Sequence, residues 1–272
     1  MTSLVKYVNH FDGKTTLVFL HNGDHIVING CQTFSTSNME SVFEKYGVPD
    51  AMQNDVREAI NSVDHEVTND DFELILSIYP MYLKFIASQT PELCIAAVHN
   101  SGWVLRFVKE QTPEICLAAV QNDGWALQFV KEQTPEICLA AVQNSGWALR
   151  FVKEQTPELC LAAMKNDGNA LRFIKEQTPE ICLAAVQNDG NALQFVKEQT
   201  PEICLAAVRN TGRALRFVKE QTPEICLAAV NENGWAIRFV LEQTPEICLA
   251  AVQNDGNALR FVKDKSMVAQ IA

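Results

Sequence analysis

Eight cysteines recur at intervals of 22 residues, and this spacing limits what their thiols can do. Equivalent positions in adjacent repeats of a helical stack lie about 8–10 Å apart, whereas a disulfide needs Cα atoms closer than about 7 Å. A zinc site would need four converging ligands, usually with a Cys-x-x-Cys pair, which the sequence lacks. We therefore predict small, buried core thiols at Cys94, Cys116, Cys138, Cys160, Cys182, Cys204, Cys226 and Cys248.

The histidines offer one candidate metal site. His21 and His25 flank a predicted hairpin turn and could bind a metal if they paired across two strands. A third ligand is not evident in the sequence, so solvated hairpin residues are the favoured interpretation. The sequence predicts no metal and no cofactor.

A glutamate at the third position of every repeat, such as Glu114 and Glu136, could suggest a row of catalytic carboxylates. Its recurrence favours a different role, because a carboxylate in the first turn of a helix interacts well with the helix dipole. Catalysis needs one unique constellation, and no phosphate loop, nucleophile elbow or His-Glu-x-x-His helix occurs. We therefore expect a protein that is not an enzyme.

The repeat itself predicts a stack of paired helices. In the second copy, Thr112 is a good N-cap, Pro113 suits the first helical position, and Glu114 follows. The next six residues are apolar on every side, which predicts burial on every side. The motif Thr-Pro-Glu-[Ile/Leu]-Cys-[Leu/Ile]-Ala-Ala-[Val/Met] begins at Thr90, Thr112, Thr134, Thr156, Thr178, Thr200, Thr222 and Thr244.

A second helix of about nine residues is expected from Trp125, with Ala126, Leu127, Phe129 and Val130 facing the core. The glycine between the two helices is predicted to take the left-handed conformation that ends many helices. On this hypothesis, Gly168→Val should damage the array, because a β-branched residue resists that conformation.

These units predict a mostly α protein with a right-handed α-solenoid in residues 68–272. It comprises a degenerate cap at 68–89, eight repeats at 90–265 and a C-terminal cap at 266–272. Residues 1–67 differ, because turn dipeptides such as Asn22-Gly23 separate segments rich in β-branched residues. We predict a small α+β module there, with an antiparallel meander of three or four strands followed by helices.

Composition and charge narrow the class of protein. With 47% hydrophobic residues, the chain can form a full core. The net charge of −11 argues against a protein that coats phosphate backbones. Residues 90–272 hold 17 basic and 21 acidic residues, so the solenoid is nearly balanced. No transmembrane window and no signal peptide is visible, so we expect a cytoplasmic protein that does not act at a membrane.

The copies differ from one another at few positions. Two of these share a helix face, and we call them the Trp/Arg/Asn ladder: the residue after each glycine, and the residue three positions later. A third variable position ends the first helix, from His99 to Gln253. The ladder residues predicted to bind a partner are Trp103, Arg106, Trp125, Gln128, Trp147, Arg150, Asn169, Arg172, Arg213, Arg216, Trp235 and Arg238.

Two interpretations of the ladder stay open. Trp and Arg are enriched at binding hot spots, which favours a groove that binds a partner. Alternatively, these positions drift because they are exposed, or each tryptophan covers the interface with the neighbouring repeat.

The repeat unit resembles a family of short helical repeats known as a domain of unknown function, which occurs in bacteria and large DNA viruses. The resemblance covers about residues 68–265 and implies a tandem helical array with no activity attached. A viral or phage origin would fit such a chain. We expect a scaffold for a protein or peptide partner, such as a host protein if the chain is viral. The alternative is single-stranded nucleic-acid binding, or mimicry of nucleic acid, by the solenoid.

Overall fold

The structure is a computed structural model. It describes residues 2–5, 16–21, 24–29, 32–35, 76, 80–85 and 89–269. Contacts divide the chain into two compact units, Met1–Tyr79 and Pro80–Ala272. This boundary lies inside the predicted cap at 68–89. The helices predicted within 37–67 lie outside the described residues.

The first unit contains a four-stranded antiparallel sheet in the order β1-β2-β3-β4. The sequence analysis predicted three or four strands in this part of the chain. In the register, His21 is opposite Asp24 and His25 is opposite Leu20, so the two histidines are not a cross-strand pair. The strands are β1 Thr2–Val5, β2 Thr16–His21, β3 Asp24–Asn29 and β4 Gln32–Ser35.

The second unit is built from eight repeats, and each contributes one α-helix of ten residues. Each α-helix packs on the α-helices of the adjacent repeats, so the packing is sequential. They are α1 Pro91–Asn100, α2 Pro113–Asn122, α3 Pro135–Asn144, α4 Pro157–Asn166, α5 Pro179–Asn188, α6 Pro201–Asn210, α7 Pro223–Glu232 and α8 Pro245–Asn254. A short helix, α9 Ser266–Ala269, follows the last repeat.

The predicted start of these α-helices is confirmed. The Thr112 hydroxyl oxygen accepts a hydrogen bond from the backbone N–H of Ile115 at 3.3 Å, and Pro113 is the first helical residue. The same threonine cap and proline occur at the start of α1 to α8. A threonine cap contributes about 1 kcal/mol to helix stability.

The second helix of each repeat differs from the prediction, because it is a 3-10 helix of six residues. A 3-10 helix rises about 2.0 Å per residue, so six residues span about 12 Å, close to the roughly 15 Å of a ten-residue α-helix. The tighter winding therefore lets a short segment lie along its longer partner. The helices are η1 Gly102–Phe107, η2 Gly124–Phe129, η3 Gly146–Phe151, η4 Gly168–Phe173, η5 Gly190–Phe195, η6 Gly212–Phe217, η7 Gly234–Phe239 and η8 Gly256–Phe261. A further 3-10 helix, Pro80–Phe85, precedes α1.

The left-handed glycine predicted between the helices is wrong. The residue that follows α2, Asp123, has extended backbone with φ −146° and ψ 112°, and Gly124 is the first residue of η2. Glycine is required at this position because a side chain would not fit. A Cβ on Gly124 would lie 2.5 Å from the carbonyl oxygen of Ala141 in the next repeat. The glycine therefore lets two repeats approach closely.

Burial also differs from the prediction that the α-helix is enclosed on every side. In α2, Ile115, Cys116, Ala119 and Val120 are buried, but Leu117 is half-exposed. The equivalent leucines of the later repeats are half-exposed too. One stripe of each α-helix therefore forms part of the surface.

The 3-10 helices bury fewer residues than predicted. In the second repeat, Ala126, Leu127 and Val130 are buried, as the sequence indicated. Phe129 was placed in the core as well, and this is wrong, because it is half-exposed. Its ring packs edge to face on Trp103 of the preceding repeat, with centroids 5.4 Å apart, and Trp103 is itself exposed.

A glutamine clamp, formed by the last residue of a repeat, joins that repeat to the next. The side-chain amide nitrogen of Gln111, Nε2, donates to the carbonyl of Phe129 at 3.0 Å, and Gln111 Oε1 accepts from the N–H of Lys131 at 3.0 Å. The side chain thus satisfies both backbone groups at the end of η2, as a paired peptide group would. The clamp occurs at Gln89, Gln111, Gln133, Gln155, Gln177, Gln199, Gln221 and Gln243.

An asparagine clamp, formed by the last residue of an α-helix, reaches back to the previous repeat. Asn122 Oδ1 accepts from the N–H of Gly102 at 2.8 Å, and Asn122 Nδ2 donates to the carbonyl of His99 at 2.7 Å. These are the backbone groups of the turn between α1 and η1. The clamp therefore provides hydrogen-bond partners for backbone groups of this turn that the helices of the previous repeat leave unpaired.

A lysine adds a third link between most repeats. Lys131 Nζ donates to the carbonyl oxygen of Lys109 at 2.9 Å, and later lysines repeat this contact. The seventh repeat lacks it, because Leu241 stands at that position and is 67% exposed. The same repeat has Glu232 in place of the clamp asparagine, and Glu232 accepts from the N–H of Gly212. A carboxylate cannot also donate to the preceding carbonyl.

The predicted core thiols are confirmed for the eight repeat cysteines, which are free and buried. Cys116 Sγ donates to Oε1 of the clamp residue Gln111 at 3.7 Å. Burial raises the pKa of the Cys116 thiol. Burial and the raised pKa both disfavour the thiolate form of this side chain. Cys31 lies outside the described residues.

The close approach at the glycines predicts a position-dependent effect of adding one methyl group. In Gly168→Ala, the new Cβ would overlap the carbonyl oxygen of Ala185, and such overpacking costs about 1–3 kcal/mol. Gly256→Ala is the matched control, because a Cβ there meets nothing within 4 Å. Thermal unfolding followed by circular dichroism should show a lower melting temperature for Gly168→Ala only. Equal losses in both variants would contradict the space requirement.

The exception in the asparagine clamp predicts a stabilising substitution. Glu232→Asn should restore the missing donor to the Arg209 carbonyl and raise the free energy of unfolding by about 1 kcal/mol. The reverse change one repeat earlier, Asn210→Glu, should lower it, because Asn210 Nδ2 donates to the Gln187 carbonyl at 2.9 Å. Urea denaturation of the two variants measures both effects. A Glu232→Asn protein less stable than the parent would count against the clamp.

Candidate partner-binding face

The Trp/Arg/Asn ladder lies on the 3-10 helices. Each of these helices starts at the glycine, so its second and fifth residues carry the ladder. Three residues per turn place these two residues in line along the helix. The prediction that they share one face therefore agrees with the backbone geometry of the array.

The tryptophans are engaged with the neighbouring repeat. Trp147 Nε1 donates to Asp167 Oδ2 at 2.6 Å, and the Trp147 ring meets the Phe173 ring edge to face with centroids 5.3 Å apart. Trp103 and Trp235 make the same pair of contacts to their next repeats. Trp125 keeps only the ring contact, to Phe151, because Ser145 replaces the aspartate. The indole side chains thus link consecutive repeats.

Asn169 occupies a tryptophan position and makes an equivalent link. Its Nδ2 donates to Asp189 Oδ2 at 2.6 Å. Asn191 instead bonds to Asp189 of its own repeat at 3.0 Å, because Thr211 stands where an aspartate would be needed. An asparagine at this position therefore links two repeats only where an aspartate caps the next 3-10 helix.

The arginines present the accessible charge of the ladder. The guanidinium carbon of Arg150 lies 5.6 Å from the Trp125 centroid, 5.1 Å from that of Phe151 and 5.6 Å from that of Phe173. Arg172 repeats this arrangement one repeat later. Both arginine side chains are exposed, and the rings beneath them restrict their conformations.

Exposure separates the predicted site residues into two groups. The exposed ones are Trp103, at 40%, together with Arg106, Gln128, Arg150, Arg172, Arg213, Arg216 and Arg238. The half-exposed ones are Trp125, Trp147, Asn169 and Trp235. Three of the four tryptophans are thus partly covered and packed against the next repeat, as one of the two interpretations predicted, whereas the arginines are exposed.

Charge is segregated between the two kinds of helix. The 3-10 helices of the repeats contain no acidic residue, and they form what we call the arginine face, with Arg106, Arg150, Arg172, Arg213, Arg216, Arg238 and Arg260. The exposed stripe of the α-helices forms what we call the carboxylate face, with Glu92, Glu114, Glu136, Glu158, Glu180, Glu202, Glu224 and Glu246. A nearly neutral solenoid thus has two surfaces of opposite sign.

The family model named Domain of unknown function (DUF4116) matches residues 112–156, 134–177, 156–200, 178–222 and 222–266. Each match spans two 22-residue repeats, and together they cover more than half of the chain. The chain belongs to the DUF4116 family. No curated protein and no solved structure matches it.

The aspartates that link the repeats of this DUF4116 array were not among the residues predicted from the sequence. Asp123, Asp167 and Asp255 each cap a 3-10 helix and accept a hydrogen bond from a tryptophan of the preceding repeat. The signal was a spacing of 20 residues between tryptophan and aspartate, which crosses a repeat boundary.

Neither a metal site nor a membrane span is found in the described part of this DUF4116 protein. Among those residues, no group of three or more His, Cys, Asp or Glu side chains converges as metal ligands would. No helix there combines the length and the apolar character needed to cross a bilayer.

The tryptophan–aspartate link predicts a pH dependence of stability in this DUF4116 array. The hydrogen bond from Trp235 lowers the pKa of Asp255 below its ordinary 3.8, assisted by the backbone N–H of Asn257. An acid whose pKa is lowered by folding stabilises the folded state above its unfolded pKa, and this contribution is lost as the pH falls through the folded value.

We therefore expect the parent protein to melt at a higher temperature than Asp255→Asn at pH 7. The difference should shrink as the pH falls below the ordinary aspartate pKa of 3.8, because the asparagine of the variant does not titrate. Melting temperatures of both proteins, measured from neutral pH down to strongly acidic pH, test this. A difference that stays constant over that range would contradict the assignment.

Proposed function

We propose that this DUF4116 chain is a non-catalytic scaffold that binds an acidic segment of a protein partner on its arginine face. The observation that carries the proposal is the row of seven exposed arginines along the array, six of which hold the guanidinium over at least one aromatic ring. Within the described part of the chain, these guanidiniums have ring contacts but no carboxylate partner.

A row of this kind favours carboxylate recognition. A guanidinium presents five N–H donors in a fixed fork that matches a carboxylate. The rings beneath Arg150 and Arg172 already restrict the conformations of these two side chains. Less side-chain conformational entropy is therefore lost when a partner binds. The repeat period supplies such groups along the array, which suits an extended acidic segment.

The tryptophans have a supporting role in this proposal. Since the Trp147 indole is tied to Asp167 and Phe173, it fixes the spacing between repeats. Trp103 is exposed and adds an apolar contact at the start of the row. In this proposal the ladder arginines make the main contacts with the partner, and the tryptophans chiefly hold the repeats together.

Single-stranded nucleic acid is the second candidate, because arginines over aromatic rings also occur where bases stack. One feature favours protein. The Trp and Phe rings pack edge to face with each other and lie beneath guanidiniums, so a base would have to displace an arginine to stack.

A pair of matched charge variants tests the proposal. Arg150→Gln/Arg172→Gln removes two charges from the arginine face, and glutamine already occupies this position at Gln128 and Gln194. Lys165→Gln/Arg209→Gln removes two charges from the α-helices, where glutamine also occurs in other repeats. Both variants should fold, since each change copies a residue that the array already contains.

We expect a labelled glutamate-rich peptide to bind the parent protein, and its affinity to fall about tenfold, or 1.4 kcal/mol, in the arginine-face variant only. Fluorescence anisotropy measures the affinity. Equal losses in both variants would reject the face. If a labelled oligothymidylate binds instead, is lost in the arginine-face variant and weakens steeply with salt, nucleic-acid binding replaces the proposal.

A further inference from the structure

The α-helical side of the array contains an open apolar groove. Its floor is made by the half-exposed residues at the sixth and seventh positions of the repeats, such as Leu139, Leu161 and Ala162. A cavity of about 710 Å³ lies over these residues between α3 and α4. Its volume is in the range of sites that enclose a ligand or several side chains.

The two edges of this groove differ in chemistry. Glu158 lines one edge, and equivalent glutamates continue it along the carboxylate face. Gln143 and Lys165 line the other edge, and they belong to the variable position that ends each α-helix. That position is exposed in all eight repeats: His99, Gln121, Gln143, Lys165, Gln187, Arg209, Asn231 and Gln253.

The charge of the groove specifies what fits it. Glu114, Glu136 and Glu158 are exposed, and within the described residues the structure gives them no cationic partner. A regular row of like charges beside an apolar floor is complemented by cations on a partner that also carries apolar groups. A small cation would satisfy the carboxylates but leave the leucines exposed.

We propose that this groove binds a polypeptide segment that carries lysine or arginine along one edge and apolar side chains toward the Leu/Ala floor. The segment lies along the stack, because both the carboxylates and the floor residues recur once per repeat. This surface is distinct from the arginine face, so the proposal does not depend on the function proposed above.

The variable edge adds selectivity. Lys165 and Arg209 place a positive charge opposite the glutamate row in the fourth and sixth repeats, whereas the second, third and fifth repeats offer neutral glutamine. A uniformly basic segment is disfavoured beside Lys165 and Arg209. The preferred segment therefore carries its neutral or acidic residues at those two places.

The test uses the full chain and a labelled peptide of alternating lysine and leucine, with a glutamate-for-lysine peptide as the charge control. Glu136→Gln/Glu158→Gln/Glu180→Gln removes three charges from the groove edge. The matched control, Glu132→Gln/Glu154→Gln/Glu176→Gln, removes three charges from exposed positions in the connections that follow the 3-10 helices.

We expect the lysine peptide to bind the parent protein more tightly than the glutamate peptide. Its affinity should fall more than about tenfold in the groove variant and less than about twofold in the matched control. Equal losses in the two variants would show attraction by overall charge and overturn the proposal, as would no binding to the parent at low salt.

A floor variant tests the apolar part separately. Leu139→Gln/Leu161→Gln changes two half-exposed side chains without altering charge. The affinity for the lysine peptide should fall about tenfold, with the circular dichroism spectrum unchanged. Unchanged affinity in a folded variant would overturn the groove, because the glutamates alone would then account for binding.

Discussion

The array depends on side-chain amides that hydrogen-bond the backbone of a neighbouring repeat. Gln111 satisfies the end of the next 3-10 helix, and Asn122 satisfies the turn of the previous repeat. Neither helix of a repeat is long enough to be stable alone in water. Because each repeat completes backbone hydrogen bonds that its neighbour leaves open, folding must propagate along the chain rather than occur repeat by repeat.

These contacts explain which residues stay the same between copies. The glutamine, the asparagine and the glycine all contact another repeat, so a change at any of them disturbs two units. The variable side chains from His99 to Gln253 lie exposed at the ends of the α-helices, whereas ladder arginines such as Arg150 also contact rings of both neighbouring repeats. Both sets are exposed, and the proposals for the two faces depend on them.

The sequence predicted what is local. Thr112 and Pro113 start an α-helix through contacts within four residues, and the 22-residue spacing of the cysteines, together with the predicted helical stack, argued against disulfides. It did not predict the role of Gly124, because the carbonyl that excludes a side chain there belongs to Ala141 in the next repeat. The sequence also predicted that Phe129 lies in the core, because the apolar pattern of these six residues fits an α-helix as well as a 3-10 helix.

Only part of the candidate site could be predicted, because some of its contacts are made between repeats. Repeat spacing placed tryptophan and arginine on one face, and ring contacts such as that of Arg150 with Trp125 agree. The engagement of the indoles by aspartates of the next repeat could not be derived from one unit. The opposite charge of the two faces was also not predicted. The expected second helix of about nine residues included Glu132, whereas the 3-10 helix ends at Phe129 and contains no acidic residue.

The seventh repeat combines two exceptions, and both weaken the same junction. Glu232 replaces a clamp asparagine, and Leu241 replaces a lysine whose counterparts bond to the preceding repeat. The boundary between the sixth and seventh repeats therefore has fewer cross-links than its neighbours. We therefore expect this junction to separate before its neighbours under mechanical tension, so that the last two repeats detach together from the first six.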